Sequence, residues 1–379
     1  MKNIGIYVHI PFCKSKCFYC DFLSFAPSAA STILPGDVET YVNALTDEIK
    51  IFDADGYKIE TIFIGGGTPS YIPPLFLRKI FDALRKFNIA GDAEITVEAN
   101  PGTLDTKKLK MMKSCGVNRL SIGAQTTDDK ILKSIGRGHT AADFFESFEC
   151  ARAAGFDNIN VDIMFSLPGQ TKEILRDTCE KIVKLKPEHI SAYALTVEEN
   201  TPMHQMIADK KISLPDDQSD REMYHFIIKF LTDNGYKHYE ISNFAKDGFS
   251  CRHNVSCWER GEYVGFGLGA HSFLNGKRFN NTKNFLRYIN NSSDKAAITE
   301  DIIDIDEADA IEETMFLGLR MTRGVPFTET IRKIYKNQID KLISSGLLKI
   351  ERDRLMLTDR GLDCANIVFS EFIGVSLTR

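Results

Sequence analysis

The chain is 379 residues long, carries 47 Lys and Arg against 52 Asp and Glu for a net charge of −5, and is 43% hydrophobic. That length and composition fit a globular protein with one large domain and a smaller one. The acidic balance without a basic stripe argues against a nucleic-acid partner, and no apolar run approaches the roughly 20 residues of a membrane span.

Residues 1–13 carry a single Lys2 and are broken by His9 and Pro11, which does not describe a signal peptide, so a cytoplasmic protein is expected. In chain order, β-branched apolar runs predict strands at 4–10, 61–64, 94–98, 119–122, 160–165 and 189–195. Amphipathic stretches between them predict helices at 37–54, 75–88, 105–115, 141–154 and 171–185. Asp37 and Asp105 are candidate N-caps, and Gly116 and Gly155 candidate helix stops. This alternation reads as βα units of a parallel sheet. Six units are countable by residue 200, where a complete barrel has eight. Cys13, Gly65, Glu98, Gln125 and Asp162 fall at or just after predicted strand ends, where parallel α/β folds build their sites.

A helix at 216–234 leads into an extended run at 239–244 and a glycine-rich stretch at 261–276. The polar segment 283–300 reads as a linker. Beyond it, helices at 306–321 and 328–345, a hairpin at 347–358 turning near Arg352 and Asp353, and a helix at 359–373 make a winged-helix-like pattern. With no basic recognition face, it reads as a packing domain. The expected division is 1–282, with an extension from about 240, and 283–379.

Nine cysteines are present, three of them at 13, 17 and 20. The odd total and the tight triplet do not make a disulfide framework. Cys115, Cys150, Cys179 and Cys364 read as small buried hydrophobes, and Cys251 and Cys257 stand out for their neighbours. Cys13-Lys-Ser-Lys-Cys17-Phe-Tyr-Cys20 can give one thiolate to each of three irons of a [4Fe–4S] cubane, leaving the fourth iron open. An open iron can chelate the amino and carboxylate groups of S-adenosylmethionine, and an electron passed to its sulfonium releases a deoxyadenosyl radical. Zinc, with His9 as a fourth ligand, is the alternative.

Ile6-Tyr7-Val8-His9-Ile10-Pro11-Phe12-Cys13 with the triplet resembles the radical S-adenosylmethionine (SAM) superfamily, in its branch of oxygen-independent coproporphyrinogen III oxidases. Within that branch the chain is most similar to the haem chaperones. The resemblance implies an α/β fold, a partial (β/α)6 barrel with a smaller C-terminal winged-helix-like α+β domain. It implies a [4Fe–4S] cluster on Cys13, Cys17 and Cys20, flanked by Tyr7 and Tyr19. For S-adenosylmethionine it implies Gly66, Gly67 and Thr68 of the Gly-Gly-Gly-Thr-Pro motif, with Glu98, Gln125, Arg137 and Asp162. The residue types suit this: an Arg can grip a carboxylate in a fork, and carboxylates and amides suit ribose hydroxyls.

The oxidases carry another cysteine directly after the triplet and a long extension before it, whereas here Asp21-Phe22 follows and Cys13 comes early. His253-Asn254-Val-Ser-Cys257-Trp258 resembles the haem motif of the chaperone branch, with Cys257 in place of its usual Tyr. His253 would be an axial haem ligand and Trp258 a flat stacking surface on the same loop. Gly265–Ser272 reads as close backbone packing or a substrate-side loop. Ser166, where the family has Gly, is tolerable if its φ is negative. The implied partners are haem, haem-accepting proteins and an electron donor for the cluster, and peripheral membrane contact is compatible with them. The implied activity is slow S-adenosylmethionine cleavage without coproporphyrinogen oxidation, and the oxidase is the alternative.

Overall fold

The computed structural model describes residues 1–26 and 37–375. Six strands alternate with helices: β1 (Lys2–Ile10), α1 (Asp37–Ile51), β2 (Tyr57–Gly66), α2 (Pro74–Leu84), β3 (Ile89–Ala99), α3 (Thr106–Ser114), β4 (Arg119–Gln125), α4 (Asp129–Ser134), α5 (Ala141–Ala153), β5 (Ile159–Phe165), α6 (Lys172–Lys184) and β6 (His189–Ala194). All six pair in parallel and in sequence order. Asp105 caps α3 by accepting from the Lys108 N–H, and Gly116 and Gly155 follow their helices with φ of +92° and +85°. Asp37 is the first helical residue of α1 and so is not the residue before it.

The strands alternate strictly. Ile6, Val8, Ile64, Val97, Ile122, Val161 and Ile190 are completely buried on the convex face under the helices. The residues between them are mostly polar and face the concave side. A flat parallel sheet covered on both faces would be apolar throughout. Here Tyr7 of β1 and Tyr193 of β6 line one cavity, so the sheet is curved into the open half-barrel that the resemblance implied.

Further strands extend both edges. After α7 (Pro202–Ala208) and α8 (Asp217–Asp233), β7 (Lys237–Glu240) and β8 (Asn243–Ala245) form a hairpin, and β8 pairs antiparallel with β6. Beyond α9 (Arg252–Trp258), β9 (Tyr263–Phe266) adds a parallel strand beside β1, followed by β10 (His271–Leu274) and β11 (Lys277–Asn281). The glycine-rich stretch is close packing: a Cβ on Gly265 would meet the His271 carbonyl at 2.1 Å.

Residues 283–300 are not a linker. They form α10 (Phe285–Asn291), α11 (Lys295–Ile298) and the start of β12 (Thr299–Asp304), the edge strand of the twelve-stranded sheet. The reason is a buried carboxylate on α1. Glu48, 1% exposed, takes bonds from Lys295 Nζ (2.8 Å), Asn281 Nδ2 (2.8 Å), Tyr288 Oη (2.7 Å) and the Gly267 N–H (2.8 Å). Polarity here satisfies an ion inside the fold.

The C-terminal unit holds α12 (Glu307–Gly318), β13 (Val325–Pro326), α13 (Glu329–Ile334), α14 (Lys336–Ser344), β14 (Leu348–Glu351), β15 (Arg354–Leu357), α15 (Asp359–Asp363) and α16 (Ala365–Ser370). The expected 328–345 helix breaks at Tyr335. The hairpin turns at Arg352 and Asp353 with φ of +49° and +59°. Met315, Leu319, Leu355 and Phe372 belong to its separate core. Arg260 and Arg278 of the large unit both bind Glu313 of α12 (2.8 and 2.5 Å). No helix among the described residues is long and apolar enough to cross a membrane.

Candidate functional site

The cluster loop leaves β1 and is held by its backbone: the Cys13 N–H donates to the Phe25 carbonyl (2.8 Å) and the Phe18 N–H to Ile135 (3.0 Å). Cys13, Cys17 and Cys20 line one cavity of about 320 Å³ at the C-terminal ends of the strands. Among the described residues no three His, Cys, Asp or Glu side chains close round a single ion. Three thiols spread round one cavity suit one iron each. The zinc alternative also loses its fourth ligand, because His9 Nδ1 pairs with Tyr7 Oη (3.0 Å) and Nε2 with the Leu23 carbonyl (2.8 Å). Burial raises the Cys13 thiol and pushes Cys20 up to about 11, a cost that iron–thiolate bonds would offset.

The Gly-Gly-Gly-Thr-Pro turn ends β2 against this loop. The Gly67 and Thr68 N–H groups donate to the Ile10 and Phe12 carbonyls (2.8 Å each), and Thr68 Oγ1 donates to Cys13 Sγ (3.5 Å). Gly66 has φ of +111°, and a Cβ there would meet the His9 ring at 2.6 Å. Only glycine fits, which leaves bare backbone facing the cavity.

Tyr19, Gly66, Gly67, Thr68, Glu98, Gln125, Arg137 and Asp162 all line this same cavity, gathered from four strands and three loops. Glu98 accepts from the Gly66 N–H (3.1 Å). Burial first, then the nearby Asp162, pushes its carboxyl up to about 8. Asp162 accepts from Asn160 Nδ2 (2.8 Å) and Ser121 Oγ (3.1 Å). Arg137 donates through Nη2 to the Gly123 carbonyl (2.6 Å) and Asn100 Oδ1 (2.9 Å), and through Nη1 to Cys17 Sγ (3.7 Å). Its Nε is buried without a partner. Gln125 sits at φ +64°, a strained position for a non-glycine at a strand end. Thiol donors, a glycine cradle and a buried guanidinium fit a cluster with an amino-acid-bearing cofactor against it.

Tyr7 and His253 are elsewhere. They line a larger cavity of about 760 Å³ that shares Gly66, Glu98, Ser121 and Asp162 with the first and is continuous with it. Helix α9 crosses the foot of the half-barrel. The Arg252 and His253 N–H groups donate to Glu94 of β3 (3.1 and 3.2 Å), and His253 Nδ1 pairs with Thr61 Oγ1 of β2 (2.9 Å). The His253 ring stacks on Phe63, and burial drives its imidazole down to about 4. Nε2 has no hydrogen bond among the described residues.

Three expectations change here. The His253–Trp258 stretch is helical, so Cys257, one turn on, shares the cavity with His253. Trp258 does not line it; its ring lies under the Arg320 guanidinium at 4.4 Å. His253 and Trp258 therefore cannot grip the same flat ring from one loop. Cys251 is sealed in, its thiol on Glu94 Oε1 (3.5 Å). Ser166 has φ of +58°, not negative, and its hydroxyl bonds Asp220.

The reading of motifs missed Asn100, Arg119, Ser121 and Asn160, which complete these cavities. The signal was the alternation of polar with apolar residues in Arg119-Leu-Ser-Ile-Gly and Asn160-Val-Asp-Ile.

A radical SAM superfamily model matches residues 7–182, and a HemN C-terminal domain model matches residues 305–363. The chain is 38% identical to a Bacillus subtilis protein named heme chaperone HemW, over 97% of this chain and 98% of that one. It is 37% identical to a Lactococcus lactis protein of the same name (98% of each) and 33% to one from Escherichia coli (98% and 99%). Its fold matches that of coproporphyrinogen III oxidase HemN from Escherichia coli, described as a radical SAM enzyme, with a TM-score of 0.83 over 99% of this chain and 91% of that one. At 22% identity this likeness speaks to the fold alone.

Proposed function

The chain belongs to the HemW family of haem chaperones within the radical SAM superfamily, and from that membership we propose that it binds haem in the larger cavity and passes it to haem-accepting proteins. One observation carries the reading. His253 enters a cavity of about 760 Å³ as a neutral imidazole whose Nδ1 is held by Thr61, leaving Nε2 for an axial bond.

The residues of the smaller cavity would hold the other two groups. Cys13, Cys17 and Cys20 would hold the cluster. Gly66, Gly67 and Thr68 would offer backbone to the amino group of S-adenosylmethionine, Arg137 would face its carboxylate, and Glu98, Gln125 and Asp162 its ribose. A cluster held there would supply an electron to the sulfonium, one that an external donor would have to provide. Glu98 and Asp162, which line both cavities, would lie between this chemistry and the haem, with Tyr7 on the haem side. The same continuity would serve an oxidase acting on coproporphyrinogen III. Against that stand Asp21-Phe22 in place of a further cysteine, and a His253 whose Nε2 is left open to the cavity.

The test is anaerobic reconstitution followed by haem titration and coproporphyrinogen turnover in parallel. Expected are haem uptake near one per chain, no protoporphyrinogen, and a His253→Ala variant with a shifted Soret band, weaker haem retention and an intact cluster. Steady protoporphyrinogen production would return the chain to the oxidase reading.

A further inference from the structure

Arg119 opens β4 at the foot of the concave face and lines the larger cavity. It is 2% exposed, yet its side chain makes no hydrogen bond and no ion pair among the described residues, and its Nε is a buried atom without a partner. The carboxylates around it are engaged elsewhere. Glu94 takes the N–H groups of Arg252 and His253 and the Cys251 thiol. Asp162 takes Asn160 and Ser121, and Glu98 takes Gly66. Glu94 and Asp162 stabilise the guanidinium only through space.

A structural cation in a core normally closes a fork on a carboxylate, because an unpaired buried charge costs several kcal/mol. Arg137, less deeply buried, spends its guanidinium on three acceptors. Arg119 has none, and it faces open space beside His253. A fork of donors held rigid in a low-dielectric cavity is complementary to a carboxylate arriving with a ligand.

We propose that Arg119 is a carboxylate anchor, taking a propionate of the tetrapyrrole bound in this cavity. The proposal rests on the haem reading and adds the group by which the macrocycle is recognised and oriented. Before haem arrives, the guanidinium is held only by through-space attraction and its hydrogen-bond donors stay unused, an unmade set of bonds concentrated at a binding site.

The experiment compares haem with its dimethyl ester, in which both propionates are masked, by Soret titration of the cluster-loaded full chain. The wild-type chain should bind the free acid at least ten times more tightly. Arg119→Met should bind acid and ester alike, at the wild-type level for the ester. Its iron content and S-adenosylmethionine affinity should be unchanged. Equal wild-type affinity for acid and ester would overturn the anchor while leaving the haem reading intact. So would an Arg119→Met chain that keeps the preference or loses both ligands equally. Uptake of neither form by the wild type would overturn the haem reading and the anchor with it. Should Arg119→Met fail to fold, the wild-type comparison decides alone.

Discussion

Gly67→Ala adds one methyl group at the tightest point of the cluster loop. The new Cβ would lie 2.9 Å from the Phe12 carbonyl, 3.0 Å from Cys13 Sγ and 3.0 Å from the Ile10 carbonyl, where ordinary contact begins at 3.4 Å. Two of the three neighbours are backbone and cannot rotate away. They are also the acceptors that hold the Gly67 and Thr68 N–H groups at 2.8 Å, so any relief stretches those bonds. Overpacking of this kind costs about 1–3 kcal/mol, and weakening two backbone bonds adds roughly 1 kcal/mol. A local penalty of about 2–4 kcal/mol corresponds to roughly 30- to 900-fold in cluster retention. The assay is iron and sulfide content after anaerobic reconstitution, with the rate of iron loss to a chelator. Wild type should hold about four irons, and the variant should load poorly and lose iron faster. Its iron-free melting temperature should change little, because the loop can relax. Gly91→Ala is the control, with nothing within 4 Å of the new Cβ. A Gly67→Ala chain with wild-type iron content and loss rate would refute the reasoning.

The Glu98 carboxyl, near 4.5 when unfolded, is pushed up to about 8 in the fold. The folded state therefore binds the extra proton, and stability falls as pH rises between these values, by about 4–5 kcal/mol. Glu98→Gln should remove that slope in chemical denaturation of the iron-free protein, and an unchanged slope would show the carboxyl is not the source. Arg137→Ala should weaken S-adenosylmethionine binding by about 1.5–3 kcal/mol per cluster-loaded chain, and equilibrium dialysis showing unchanged affinity would remove Arg137 from the site. Lys295→Ala strands Glu48 in the core and should cost about 3 kcal/mol in urea unfolding. A neutral result would show that Lys295 is not what stabilises the buried Glu48.

The alternation of strands and helices, the helix stops at Gly116 and Gly155 and the cysteine spacing are local properties, and they were legible in the sequence. Hydrophobic periodicity, φ preference and thiol spacing act over a few residues and need no partner to be read. The smaller cavity was also legible, because its contributors sit at strand ends, which a parallel sheet brings to one side. The sequence did not reveal what each polar residue meets. Glu48 and Lys295 lie 247 residues apart and look like surface charges until α10 packs on α1 and brings α11 with it. His253 and Trp258 share a motif, but α9 sends one into the cavity and the other under Arg320. Arg119 reads as the start of a strand, and only the curvature of the sheet makes it an unpaired cation facing a cavity. Burial and pairing are properties of surfaces brought together over long separations, so the tertiary fold alone decides which charges are solvated, which are neutralised and which are left for a ligand.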